Sequence, residues 1–170
     1  IWPVTRDLLT SMAGEISVGD VREAKNFMNA VIDEKAFNNI TSYIEFAKTS
    51  NKAKILLGGD YDKTEGYFVN PTIIETTDPH FKTMEEERFG PFLTIFVYND
   101  RQMDETIELC NTTSPYGLTG AVFSRDRVAA ARICSKLRYA AGNFYINDKP
   151  TGAMVGMQPF GGSRASGTND

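Results

Sequence analysis

After a short strand ending at Asn147, the chain up to Asp170 carries glycines at 152, 156, 161, 162 and 167 and prolines at 150 and 159. A long ordered loop with that many special backbone positions is usually functional, because glycine lets a ligand approach the main chain closely. Phe160 sits among them and is too apolar for a mere linker. The competing reading is a flexible glycine-rich tail. Two phosphate-binding patterns fail. Gly162 and Gly167 have the spacing of a phosphate loop, but Thr168 stands where that motif needs lysine, and no G-x-G-x-x-G run occurs anywhere.

Nucleophilic chemistry would need a thiolate, and the chain has two cysteines, Cys110 and Cys134. Each falls on the apolar face of a predicted helix with no histidine nearby in sequence to lower its pKa, so both read as free core thiols of a reducing compartment. With one histidine, His80, and no Cys/His cluster, a metal site has little to stand on. Glu85, Glu86 and Glu87 are consecutive, and on residue types alone such a run reads as a solvated surface turn.

The elements that must position these residues follow from periodicity. Pro3 suits the first turn of a helix whose apolar stripe is Leu8, Leu9 and Met12, ended by Gly14. Asp33 is a good cap for a helix carrying Phe37, Ile40, Ile44 and Ala47 on one face. Lys54 to Leu57 reads as a strand closed by Gly58-Gly59. Tyr67 to Val69 and Thr72 to Glu75 are extended around Pro71, which points to an edge or a bent strand. Phe92 to Tyr98 is the near-continuous apolar run that burial on both faces requires. Then come a helix capped by Asp104, a strand from Leu118 to Phe123, a helix from Asp126 and a last strand from Asn143 to Asn147. This alternation predicts an α/β fold with a mostly parallel open sheet and flanking helices, and ligands in such sheets bind beyond the carboxyl ends of the strands. The loop after Asn147 lies at such an end. No linker divides the chain, so residues 1–170 read as a single domain.

A net charge of −4 without a basic block argues against nucleic acid or an anionic membrane surface. No apolar run approaches the ~20 residues of a membrane span. Ile1-Trp2-Pro3 has no basic leader, and the absence of an initiator methionine suggests a piece of a longer protein.

Gly142-Asn143-Phe144-Tyr145-Ile146-Asn147, Thr151-Gly152, Gly156, Gln158-Pro159-Phe160-Gly161-Gly162 and Ala165-Ser166-Gly167-Thr168-Asn169-Asp170 together resemble the C-terminal catalytic loop of the aldehyde dehydrogenase superfamily. The resemblance is to the branch that acts on L-glutamate γ-semialdehyde. It runs back through Glu86-Glu87-Arg88-Phe89-Gly90-Pro91 and Gly117-Leu118-Thr119-Gly120-Ala121-Val122-Phe123, and so covers essentially the whole chain.

The resemblance implies an NAD-dependent oxidation of glutamate γ-semialdehyde, formed from 1-pyrroline-5-carboxylate, to L-glutamate in proline catabolism. It assigns Glu87 to the two hydroxyls of the nicotinamide ribose and Phe89 to the nicotinamide end. It assigns the backbone N–H groups of Gly152 and Ala153 to the substrate's α-carboxylate and Phe160 to its aliphatic stem. A carboxylate's two acceptor oxygens suit a vicinal diol, and successive N–H groups make an anion-binding concavity. Two departures stand out: Arg88 replaces the usual isoleucine, and Ala153 replaces a serine found in some members, with Thr151 as a candidate substitute.

The same resemblance places the nucleophilic cysteine, the oxyanion asparagine, the general-base glutamate and the cofactor-binding domain ahead of Ile1, and a subunit-pairing strand after Asp170. On that reading the chain is an inactive part of a catalytic domain whose parent is a homo-oligomer of the mitochondrial matrix. Its rivals are another aldehyde dehydrogenase with a different substrate, and a non-catalytic binding or assembly module that keeps the fold.

Overall fold

In the computed structural model, which describes residues 1–152, 154, 156–157 and 160–167, helix α1 spans Trp2–Gly14 and helix α2 spans Glu34–Thr49. Asp33 starts α2 as expected, its Oδ1 accepting the Ala36 N–H at 2.7 Å. Phe37, Ile40, Ile44 and Ala47 recur at helical spacing and are all buried. Strands follow at Ala53–Leu57 (β1), Tyr61–Asp62 (β2), Phe68–Val69 (β3) and Thr72–Thr76 (β4), then the short helix α3 at Lys82–Glu85 and β5 at Phe92–Phe96. The chain divides into two compact units, Ile1–Val97 and Tyr98–Asp170.

In the first unit β4 lies between β1, antiparallel, and β5, parallel. Phe37, Ile40, Ile44 and Val69 form one core cluster, and Ala47, Ile74 and Phe81 another, with Phe92 packed against both. Each fully buried aliphatic side chain here contributes about 1.5–3 kcal/mol through the hydrophobic effect.

In this unit three expectations change. β4 is the central strand of its sheet, not an edge, because Pro71 precedes its first residue and its missing N–H falls outside the ladder. The half-covered line of α1 is Trp2, Arg6, Leu9 and Ala13, while Leu8 and Met12 stay 60% and 70% exposed. The apolar residues of α1 mark two adjacent faces, and periodicity does not select which one meets β1. β5 is the outer strand and Leu93 is 49% exposed, so two-sided burial is not present within this chain.

In the second unit, a helical turn at Asp100–Gln102 is capped by Asn99 and leads into α4, Met103–Thr112. β6 (Tyr116–Gly117), β7 (Thr119–Val122), α5 (Arg127–Lys136), β8 (Asn143–Ile146) and β9 (Ser163–Arg164) complete the chain. β7 and β8 pair in parallel through the α5 crossover, with Thr119 opposite Asn143 and Val122 opposite Ile146. The α/β class and the parallel β7–β8 pair are therefore as the alternation predicted. Asp126 caps α5, accepting the Val128 and Ala129 N–H groups. Asp104 does not cap α4; its carboxylate reaches Lys136 at 2.7 Å and Arg132 at 2.5 Å on α5. Neither cysteine is in the core: Cys110 is exposed and Cys134 is half-buried, because the buried face of α4 passes through Thr106 and Ile107 instead. Among the described residues, no helix is long and apolar enough to cross a membrane.

Candidate functional site

The three glutamates, alike by residue type, are separated by their partners. Glu85, the last residue of α3, lies 2.7 Å from His80 Nδ1 through its Oε1. Glu86 accepts a hydrogen bond from the Tyr43 hydroxyl and an ion pair from Arg88. Glu87 is exposed, and its carboxylate has no hydrogen bond or ion pair among the described residues. It is the carboxylate of the three with both oxygens available to a diol.

Arg88, the residue that departs from the resembled motif, holds this turn against α2. Its guanidinium carbon sits 4.3 Å from the centre of the Tyr43 ring, and Nη2 donates to the Tyr43 hydroxyl and the Glu86 carboxylate. Nη1 donates to the Glu87 carbonyl oxygen at 2.7 Å. Tyr43 is 5% exposed and its ring stacks on Phe92 at 6.4 Å. Arg88 Nε is buried without a partner among the described residues, a cost of about 1–3 kcal/mol that an isoleucine would not incur. Phe89, next along, is 88% exposed and offers a free ring face.

In the second unit the loop after β8 begins under tight local control. Asn147 has a left-handed φ of 52°, which asparagine tolerates better than most residues. Its side-chain amide closes a two-way bridge with Ser124: the Ser124 N–H donates to Oδ1 at 2.8 Å and Nδ2 donates to the Ser124 carbonyl at 2.9 Å. Five residues on, the Gly152 N–H donates to the Tyr145 hydroxyl oxygen at 3.1 Å. The far end is pinned too. β9 pairs antiparallel with β6, Ser166 Oγ accepts the Gly117 N–H at 2.9 Å, and Arg164, left-handed at φ 58°, donates to Ser114 O and Asn111 Oδ1. Both ends are thus anchored, against the free-tail alternative. Gly142 shows how closely: a Cβ there would stand 1.8 Å from the Gly161 carbonyl oxygen.

Of the expected substrate contacts, Gly152 is at the start of this loop with its N–H taken by Tyr145, and Phe160 is half-buried. Ala153 lies outside the described residues. Glu87 and Phe89 share one turn of the first unit, whereas Gly152 and Phe160 belong to the second. Tyr43, Arg88, Tyr145 and Asn147 were not legible as site residues. Two carried a signal: Arg88 as a departure from the resembled motif, and Asn147 as an asparagine at the exit of a strand into a long loop.

Neither cysteine has the setting of a nucleophile. Desolvation by neighbouring protein pushes the Cys110 thiol up, not down, although its side chain is exposed, and no histidine pairs with it. No His/Cys/Asp/Glu group among the described residues is arranged to hold a metal ion.

Comparison with known proteins places this geometry in a family. The family model for the Aldehyde dehydrogenase family matches residues 1–170. The mitochondrial delta-1-pyrroline-5-carboxylate dehydrogenase of Dictyostelium discoideum is 55% identical over 170 residues, covering 100% of this chain and 30% of the relative. Its human counterpart is 50% identical over 171 residues, again 100% of this chain and 30% of the relative. The crystal structure of the Mycobacterium tuberculosis delta-pyrroline-5-carboxylate dehydrogenase bound with NAD superposes with a TM-score of 0.87 at 45% identity, covering 99% of this chain and 30% of that one. The chain thus spans about 30% of the length of the curated relatives it matches. By this full-length match and by the fold, the chain belongs to the aldehyde dehydrogenase family.

Proposed function

We propose that the complete protein oxidises L-glutamate γ-semialdehyde to L-glutamate with NAD, and that residues 1–170 are part of its catalytic domain. The observation that carries this reading is the 55% identity, over the whole chain, to a relative named for pyrroline-carboxylate oxidation. The solved betaine aldehyde dehydrogenase of Staphylococcus aureus, from another branch of the family, is 33% identical at a TM-score of 0.81.

The residues present fit the cofactor and substrate in kind. Glu87 offers a free carboxylate to the ribose diol, and the exposed ring of Phe89 lies against the nicotinamide end. NAD, when bound, accepts the hydride released as the aldehyde carbon is oxidised. Gly152 supplies a backbone N–H to the α-carboxylate, which as an anion is a stronger acceptor than the Tyr145 phenol oxygen it must displace. Ala153 supplies a second N–H, and Phe160 shields the methylenes from water. The thiolate nucleophile comes from outside these 170 residues, since Cys110 and Cys134 lack an activating setting.

The protein acts in the mitochondrial matrix as a homo-oligomer and does not bind nucleic acid or membranes. Mitochondrial location is supported by the names of the Dictyostelium discoideum and human relatives.

The test compares NADH formation by the purified complete protein with glutamate γ-semialdehyde and with betaine aldehyde. A preference of about a hundredfold or more for the semialdehyde is expected, because a site built around a carboxylate leaves polar groups unpaired with other substrates. Equal use, or preference for betaine aldehyde, overturns the reading.

A further inference from the structure

We infer that Arg88 is a positioning residue for Glu87: it uses up the neighbouring carboxylate of Glu86 and ties the Glu87 backbone to α2, so that one carboxylate alone faces the ribose. The inference rests on the reading of Glu87 as the ribose ligand. Arg88 itself touches neither cofactor nor substrate in that reading.

Three contacts converge. The Arg88 guanidinium stacks on the buried Tyr43 ring at 4.3 Å, an arrangement that its planar, delocalised charge favours and a lysine would not reproduce. Its Nη2 and the Tyr43 hydroxyl both donate to Glu86 Oε2, which neutralises a charge that would otherwise sit one residue from Glu87. Its Nη1 holds the Glu87 carbonyl at 2.7 Å, which restricts the backbone from which the free carboxylate projects. An aliphatic residue at 88 would fill space but could do none of these. With only the neutral Tyr43 hydroxyl left on Glu86, its charge would go unneutralised beside Glu87, the two adjacent carboxylates would repel each other, and Glu87 would lose its fixed direction.

The structure also says what Arg88 acts through. Tyr43 stands on α2 among Phe92 and Lys82, whose Nζ lies 4.5 Å from the same ring, so the platform under the guanidinium belongs to the core of the unit. The turn is fastened to a rigid helix instead of being carried by a free loop, and preorganisation of that kind lowers the ordering cost on binding.

A double-mutant cycle on the complete protein tests this, with NAD dissociation constants read by calorimetry and unfolding temperature measured in parallel. Glu87→Gln, Arg88→Met and the double variant are compared. Arg88→Met is expected to weaken NAD roughly tenfold, the scale of a lost charge-assisted hydrogen bond, while in the Glu87→Gln background it adds less than about twofold. Tyr43→Phe, which keeps the ring and the stacking but removes the hydroxyl, is expected to weaken NAD in the same direction, and serves if Arg88→Met does not fold. Losses that simply add, or NAD binding unchanged in both Arg88→Met and Tyr43→Phe, overturn the proposal. If Glu87→Gln alone leaves NAD binding intact, the ribose assignment falls first and this proposal with it. A normal Glu87→Gln effect with no Arg88 coupling removes the proposal alone.

Discussion

The Tyr145 hydroxyl oxygen accepts the Gly152 N–H at 3.1 Å, across the turn that carries the chain out of β8. Tyr145 is half-buried on a strand paired to β7, so the donor proposed to bind the substrate's carboxylate is held by a rigid element before any ligand arrives. Tyr145→Phe removes that hold. KM for glutamate γ-semialdehyde is expected to fall by about two- to tenfold in the complete protein, with kcat changed far less, because the substrate's carboxylate no longer has to displace the phenol oxygen from this N–H. A rise in KM would mean that the phenol still holds the loop when the substrate is bound.

Gly142 and Gly152 are expected to respond oppositely to the same substitution. At Gly152 an added Cβ first meets the Lys149 side chain, at 2.4 Å from Cε near its flexible end, so Gly152→Ala should leave the unfolding temperature nearly unchanged while impairing use of the semialdehyde. At Gly142 the added methyl stands 1.8 Å from a backbone oxygen, and neither main chain can yield cheaply, so Gly142→Ala should destabilise the protein by about 1–3 kcal/mol. Thermal unfolding and activity, measured on both variants, separate the two cases. Equal thermal losses would refute the contrast.

Glu87→Gln keeps the shape of the side chain and removes its charge. If the carboxylate receives the ribose diol, hydride transfer in the complete protein should slow by about ten- to a hundredfold, with the fold intact. Unchanged single-turnover rates with NAD would return Glu87 to the status of a solvated surface residue.

The ion pairs of Asp104 with Lys136 and Arg132 hold its carboxyl below the ordinary 3.8, mainly through the Lys136 contact. A depressed carboxylate stabilises the fold above its unfolded value, and that contribution is lost as pH falls through the lower folded value. Asp104→Asn should therefore lower the unfolding temperature by roughly a degree or two at neutral pH, the scale of exposed pairs, and the gap to the unsubstituted protein should close on acidification below 3.8. A gap that persists at low pH would point to packing, not charge.

The 170-residue polypeptide by itself should form no NADH from glutamate γ-semialdehyde, since neither of its cysteines is placed as a nucleophile. Activity above a buffer blank would show that one of them serves after all, and Cys110→Ser and Cys134→Ser would identify it.

What the sequence by itself determined is what depends on neighbours along the chain. The cap at Asp33, the face of α2 through Phe37, Ile40, Ile44 and Ala47, the β7–α5–β8 alternation and the loop beyond Asn147 all follow from periodicity and from turn-forming residues a few positions apart. Membership of the aldehyde dehydrogenase family was legible for the same reason, since its motifs are contiguous runs. Tertiary structure decided the matters that hang on distant partners. Glu85, Glu86 and Glu87 are alike by residue type, and in the structure His80, Arg88 and Tyr43, the last of these 43 residues from Glu86, occupy the first two. Arg88 looked like an interruption of a motif until a ring on α2 was placed beneath it. Which apolar edge of α1 is covered, that β4 is central, and that Cys110 lies outside the core were settled by packing, because several faces satisfy the same helical or strand period and only the surrounding elements choose among them.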